Sequence, residues 1–132
     1  GLGPKITTGI LLALGDYDSI SNATQITKLA GLNLVDKTSG SSINKPSRIS
    51  HQGNEALRFW GYHASMQVIK HKGVFKTLYE RKRKNSPGKG SGKRALIAVC
   101  DKLIRVSWAI LKKGGVYQKD YDKKIKAIYN KK

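Results

Sequence analysis

Residues 93–113 read KRALIAVCDKLIRVSWAILKK, and this stretch decides the fold. Leu96, Val99, Leu103, Val106 and Ile110 recur three or four residues apart, the spacing that stacks side chains on one face of an α-helix. Asp101, Arg105 and Lys112 fall on the opposite, wet side. No glycine or proline interrupts the run after Lys93, and Gly114-Gly115 breaks it. Cys100, the only cysteine, sits inside this apolar run, where a small buried thiol is expected. A single cysteine makes neither a disulfide framework nor a cysteine-rich metal site.

Working outward, the same periodicity predicts an all-α domain of about five helices. Pro4 suits a first helical turn, where its missing N–H costs nothing. Ile6, Ile10, Leu11 and Leu14 follow at helical spacing, and Gly15 ends the run. Ser21-Asn22 are good capping residues for a second helix, with Ile26, Leu29 and Ala30 as its buried stripe and Gly31 as its stop. A third helix is expected over Asn54–Lys70, with Ala56, Leu57, Trp60, Ala64, Gln67 and Val68 near one face. A fourth spans Val74–Lys84, and Asn85–Gly92 is a Ser/Gly/Pro linker. Phe59, Trp60, Phe75 and Trp108 are expected in the core, and Tyr62 and Tyr79 partly exposed. Between Leu32 and Gly53 periodicity disappears into a long Ser/Gly/basic loop. A structureless loop of this length in a small domain is usually functional or disordered. Short pairing of Asn33–Lys37 with Arg48–Ser50 is compatible with it. The tail 114–132 is basic, with Tyr121, Ile125 and Ile128 at the spacing of a short amphipathic helix.

The formal net charge is +18 over 132 residues. It is unevenly placed. Residues 1–36 hold two lysines against three aspartates, whereas 37–132 hold 24 basic and five acidic side chains. A one-sided basic surface of this size is the footprint of a polyanion binder, nucleic acid foremost. The densest cluster is Arg81, Lys82, Arg83 and Lys84 with Lys89, Lys93 and Arg94, which reads as phosphate-backbone contact without base readout. Gly88–Lys93 invites a nucleotide-loop reading and fails it: Pro87 stands at the required earlier glycine, Arg94 at the required Ser/Thr, and a basic helix precedes it. His51, His63 and His71 form no convincing metal constellation, and the eight carboxylates no grouped set, so no metal site is expected in this chain. No apolar stretch approaches a membrane span and no signal peptide is visible, which fits a reducing cytoplasm.

Several small motifs occur in order. Gly1-Leu2-Gly3-Pro4 opens the chain before a helix. Ala30-Gly31-Leu32, Ser39-Gly40, then Arg48-Ile49-Ser50, Gly53-Asn54 and Leu57-Arg58 follow. Together they resemble the C-terminal domain of a family of bacterial insertion-sequence transposases, the insertion sequence 110/116/902 family, over residues 1–113. The resemblance implies a helix-hairpin-helix-like part at 1–31 and an active-site loop at 32–53. Gly1, Gly3 and Lys5 would face a DNA phosphate from the hairpin. Ser39 would be the nucleophile in DNA cutting and rejoining, with Ser41 and Ser42 as fallbacks. Lys37, Lys45, Arg48 and Arg58 would neutralise phosphate charge, the two arginines at the transition state. No general base is evident, and His51 is one only by proximity.

The resemblance also implies an N-terminal RuvC-like domain in the same parent, carrying a DEDD carboxylate set and Mg²⁺. It further implies a structured guide RNA and an oligomeric parent acting at the bacterial nucleoid. Cofactors are expected in that absent domain, none in this chain. The abrupt start without Met is read as a domain cut from a longer protein, which by itself binds rather than catalyses. A reading of another class is a non-catalytic helix-hairpin-helix DNA-binding module of a repair or junction-processing protein. It accounts for the charge and for Gly1–Pro4, though not for Ser39-Gly40 in register with Arg48-Ile49-Ser50.

Overall fold

A computed structural model of the chain describes residues 2–35 and 48–117. The readings made for Gly1, Lys37, Ser39, Ser41, Ser42, Lys45 and the tail beyond Tyr117 lie outside those residues. Within them the order is α1 (Pro4–Leu14), α2 (Ala23–Leu29), β1 (Leu34–Val35), β2 (Arg48–Ile49), α3 (Glu55–Val68), α4 (Val74–Asn85) and α5 (Ser91–Lys113). The fold is all-α apart from a two-residue antiparallel ladder, Leu34 opposite Ile49 and Val35 opposite Arg48.

Local chemistry sets the helix ends. Pro4 occupies the first turn of α1. The Asn22 side chain accepts from the Thr24 and Gln25 N–H groups to cap α2, and Asn54 accepts from Leu57 N–H to cap α3. Gly114 adopts φ 59°, letting its N–H donate to Leu111 and that of Gly115 to Ile110 at the end of α5.

The core gathers Ile10 and Leu14 of α1, Ile26 and Ala30 at α2, Leu57 and Ala64 of α3, and Cys100, Leu103 and Ile104 of α5. Helix α5 packs against α2, α3 and α4, while α1 packs on α3. The buried arc of α5 is turned from the expected stripe. Ala95, Val99, Cys100, Leu103 and Ile104 are buried, whereas Leu96, Val106 and Ile110 are only half-buried. Gly61 explains the rotation. A Cβ there would lie 2.6 Å from Ile104 Cδ1 and 2.9 Å from Cys100 Sγ, so α5 seats those two side chains in the notch that the glycine leaves.

Other expectations are corrected the same way. Leu11 is 41% exposed, and the buried neighbour of Ile10 is Gly9, whose added Cβ would meet the Trp60 indole at 2.4 Å. Ala56 and Gln67 of α3 are exposed. Phe59 is 52% exposed rather than in the core, its ring set edge-on to Trp60 and tilted against His63. The supposed wet side of α5 is partly engaged. Asp101 accepts from Thr27 Oγ1 at 2.6 Å and pairs with Arg105. Lys112 Nζ donates to the carbonyls of Asp18 and Ile20, and Trp108 Nε1 to that of Tyr17. These bonds tack the α1–α2 connection to α5 because its carbonyls need donors and α5 supplies them.

Candidate nucleic-acid interface

Two groups of residues stand out, one at a corner and one at a helix-hairpin tip. The corner is built where α2 ends and α3 begins. Gly31 takes φ 65°, and the chain reverses so that the Leu32 N–H donates back to the Thr27 carbonyl. His51 N–H then donates to Gly31 and Ser50 N–H to Asn33, extending the small ladder into the corner. Ser50 Oγ and Asn33 Oδ1 close it at 2.7 Å. Gly53, at φ 149°, passes so close that a Cβ would sit 2.4 Å from the Leu29 carbonyl oxygen. Only glycine fits that approach.

Asn54 is the hub. Its N–H donates to Leu29, its Nδ2 to the Ala13 carbonyl at the end of α1, and its Oδ1 caps α3. This one residue therefore joins three helices, its side chain bridging α1 and α3 and its backbone N–H meeting α2. Sequence reading took Asn54 only as a helix start. The capping residue type was a visible signal, but the reach to α1 was not.

Arg58 also serves the corner. Its Nη1 donates to the Ala30 carbonyl at 3.0 Å, a cation at the C-terminus of α2, and the side chain is half-buried. Arg48 lies exposed on β2, opposite Val35. Lys37, Ser39 and Lys45 fall between these two strands in the sequence. His51, next along, holds φ 57°. It is the only non-glycine with positive φ among the described residues, and its ring is exposed. Sparsely populated backbone of this kind is held only by surrounding contacts, here the bond to Gly31.

Gly3 and Lys5 are exposed at the start of α1, and the Gly3 carbonyl accepts from Thr7 N–H and Thr7 Oγ1. Lys5 borders a shallow groove between α1 and α3, floored by Thr8, Leu12, Ala56 and Trp60. Cys100 offers no nucleophile at neutral pH. Burial pushes its thiol up to about 12, outweighing the Ser65 hydrogen bond.

The tip is formed by the end of α4 and the start of α5. Arg81, Lys82, Arg83, Lys84, Lys89 and Lys93 are all exposed there. Arg94 is exposed too, but its guanidinium is engaged. Nη1 donates to the Lys89 carbonyl and Nη2 to that of Ser86, locking the turn that Gly88 and Gly90 make at positive φ. The corner and the tip use different elements, the first at the end of α2 and the start of α3, the second at the end of α4 and the start of α5.

Residues 1–80 match the transposase IS116/IS110/IS902 family. The chain is also similar to two pilin gene-inverting proteins. It is 31% identical over 126 residues to that of Moraxella bovis and 30% identical over 126 residues to that of Moraxella lacunata. Each match covers 95% of this chain and 37% of the relative, so the chain spans little more than a third of the length of these relatives.

Proposed function

The chain belongs to the IS116/IS110/IS902 transposase family, and we propose that it is the DNA-binding, serine-bearing domain of a transposase or recombinase that cuts and rejoins DNA. The observation that carries this reading is the corner itself. The motif residues Gly31, Ser50, Gly53, Asn54 and Arg58 build one rigid joint. Beside it the ladder sets Val35 opposite Arg48, and the sequence between these two residues carries Ser39, the proposed nucleophile.

In the proposed reaction Ser39 Oγ attacks phosphorus. A P–Oγ bond forms, the bond from phosphorus to one sugar oxygen breaks, and that oxygen leaves as a hydroxyl. The serine proton passes to a base. A second strand's hydroxyl reverses the exchange, freeing Ser39. Arg48 and Arg58 are proposed to neutralise charge on the pentacovalent state. The pilin gene-inverting relatives, by name, reverse a DNA segment, which the same cut-and-rejoin chemistry performs.

Magnesium is proposed to be held by a RuvC-like domain of the parent; among the described residues no three His, Cys, Asp or Glu side chains come together. DNA, a guide RNA and further copies of the parent are the proposed partners. Among the described residues no helix is long and apolar enough to cross a membrane, and action on DNA places the proposed site of work in the bacterial cytoplasm.

The test is strand exchange by the full-length parent. Ser39→Ala should abolish exchange and leave DNA affinity near wild type, while Ser41→Ala and Ser42→Ala should be milder. A trapped protein–DNA adduct should yield a linked peptide containing Ser39. Exchange retained by Ser39→Ala, or an adduct on another residue, removes the catalytic assignment.

A further inference from the structure

Between Arg81 and Arg94 there are seven cations and no acidic residue. These like charges repel one another across the tip, although the α4 dipole favours those in its own last turn. Helices α4 and α5 are joined by the five residues 86–90 and pack on each other, which sets the last turn of α4 beside the first turn of α5. Lys82, Arg83 and Lys84 crowd the first of these turns. Lys93 and Arg94 stand in the second, at the helix end whose dipole repels cations, with no acidic residue in that turn. Helix α4 has no fully buried residue to offset the repulsion. Yet the turn is ordered by two charge-assisted bonds from Arg94. The family match ends at residue 80, immediately before this cluster.

We propose that the tip is a clamp for the phosphodiester backbone of a nucleic-acid duplex, pre-shaped but charge-strained until a polyanion relieves it. Arg81, Lys82, Arg83, Lys84, Lys89 and Lys93 neutralise phosphates. Arg94 is a positioning residue that holds the turn carrying Lys89. The clamp rests on the nucleic-acid reading above and uses residues separate from the corner around Asn54. Because no base-reading group is invoked, its binding is insensitive to sequence.

The experiment compares the 132-residue chain with its Arg81→Gln, Arg83→Gln, Lys84→Gln triple variant. Thermal unfolding is followed at low and high salt without ligand. Binding is titrated over a salt series against a DNA duplex and an RNA stem of matched phosphate count. The free triple variant should melt a few degrees higher at low salt, with the difference gone at high salt. It should bind about tenfold or more weakly, and its log–log salt slope on DNA should be shallower by about 2.7, at about 0.9 per lost contact. Loss in the DNA arm identifies DNA as the source of the phosphates, and loss in the RNA arm identifies RNA. Either supports the clamp. Arg94→Lys keeps the charge but loses the two-point grip, so affinity should drop severalfold with the salt slope unchanged. Wild-type affinity in Arg94→Lys overturns its positioning role. A triple variant that melts lower at low salt overturns the charge strain. Unchanged affinity in both arms, with wild type still binding, overturns the clamp and leaves the nucleic-acid reading standing. Absence of binding by wild type in both arms overturns that reading and the clamp with it.

Discussion

Cys100 shows how one residue's chemistry follows from one neighbour's missing side chain. Gly61 opens the notch, Cys100 and Ile104 fill it, and the thiol loses its water. Desolvation disfavours the thiolate, and the thiol is pushed from 9.0 up to about 12. The consequence for stability has a definite sign. Below pH 9 both folded and unfolded thiols keep their protons, and the contribution is fully present. Above it the unfolded thiol ionises while the folded one stays protonated until about 12, so the unfolded state gains and stability falls across that window. Urea unfolding over this alkaline range should lose stability more steeply for wild type than for Cys100→Ala, in which lysine and tyrosine titration is unchanged. Equal slopes would show that the thiol is not buried as described. The native thiol should also resist alkylation at neutral pH until the domain unfolds.

At the level of elements, the helices are held by their ends as much as by their faces. Asn22 and Asn54 are both N-caps, but only Asn54 also reaches a second helix. Asn22→Ala should cost about 1 kcal/mol, the ordinary worth of a cap. Asn54→Ala should cost about 2 kcal/mol, because the Ala13 carbonyl loses its donor along with the capped Leu57 N–H. Equilibrium unfolding in urea measures both, and equal costs would remove Asn54 from its place as the joint of α1, α2 and α3.

For the whole molecule, α5 matters most. The family match stops at residue 80, yet Val99, Cys100, Leu103 and Ile104 close the core over α2 and α3. A chain ending at residue 85 should therefore lack cooperative unfolding and show little helical circular dichroism, since it leaves Ile26, Leu57 and Ala64 facing water. A cooperative melt from that fragment would contradict this placement of the core. Helix existence and boundaries were legible along the chain because capping and i, i+4 contacts act within one or two turns, as at Pro4, Asn22 and Gly114. The short ladder, which pairs residues far apart along the chain, was only compatible with the sequence. The reading of residues 36–47 as a serine loop rests on the family motif, since composition alone does not separate that stretch from a linker. What the chain did not announce was which face of each helix would be covered. Leu96, Val106, Leu11 and Phe59 fit helical stripes and are exposed or half-buried, because burial depends on what packs opposite. Gly9 under Trp60 and Gly61 under Ile104 decide that by where they leave room. Arg58 and Arg94 likewise read as free cations in the sequence, and only the folded chain brings carbonyls from 28 and eight residues away to meet them. Local order was written in neighbouring residues, and the buried faces and spent charges were decided by residues distant in sequence, whose approach exists only after the helices pack.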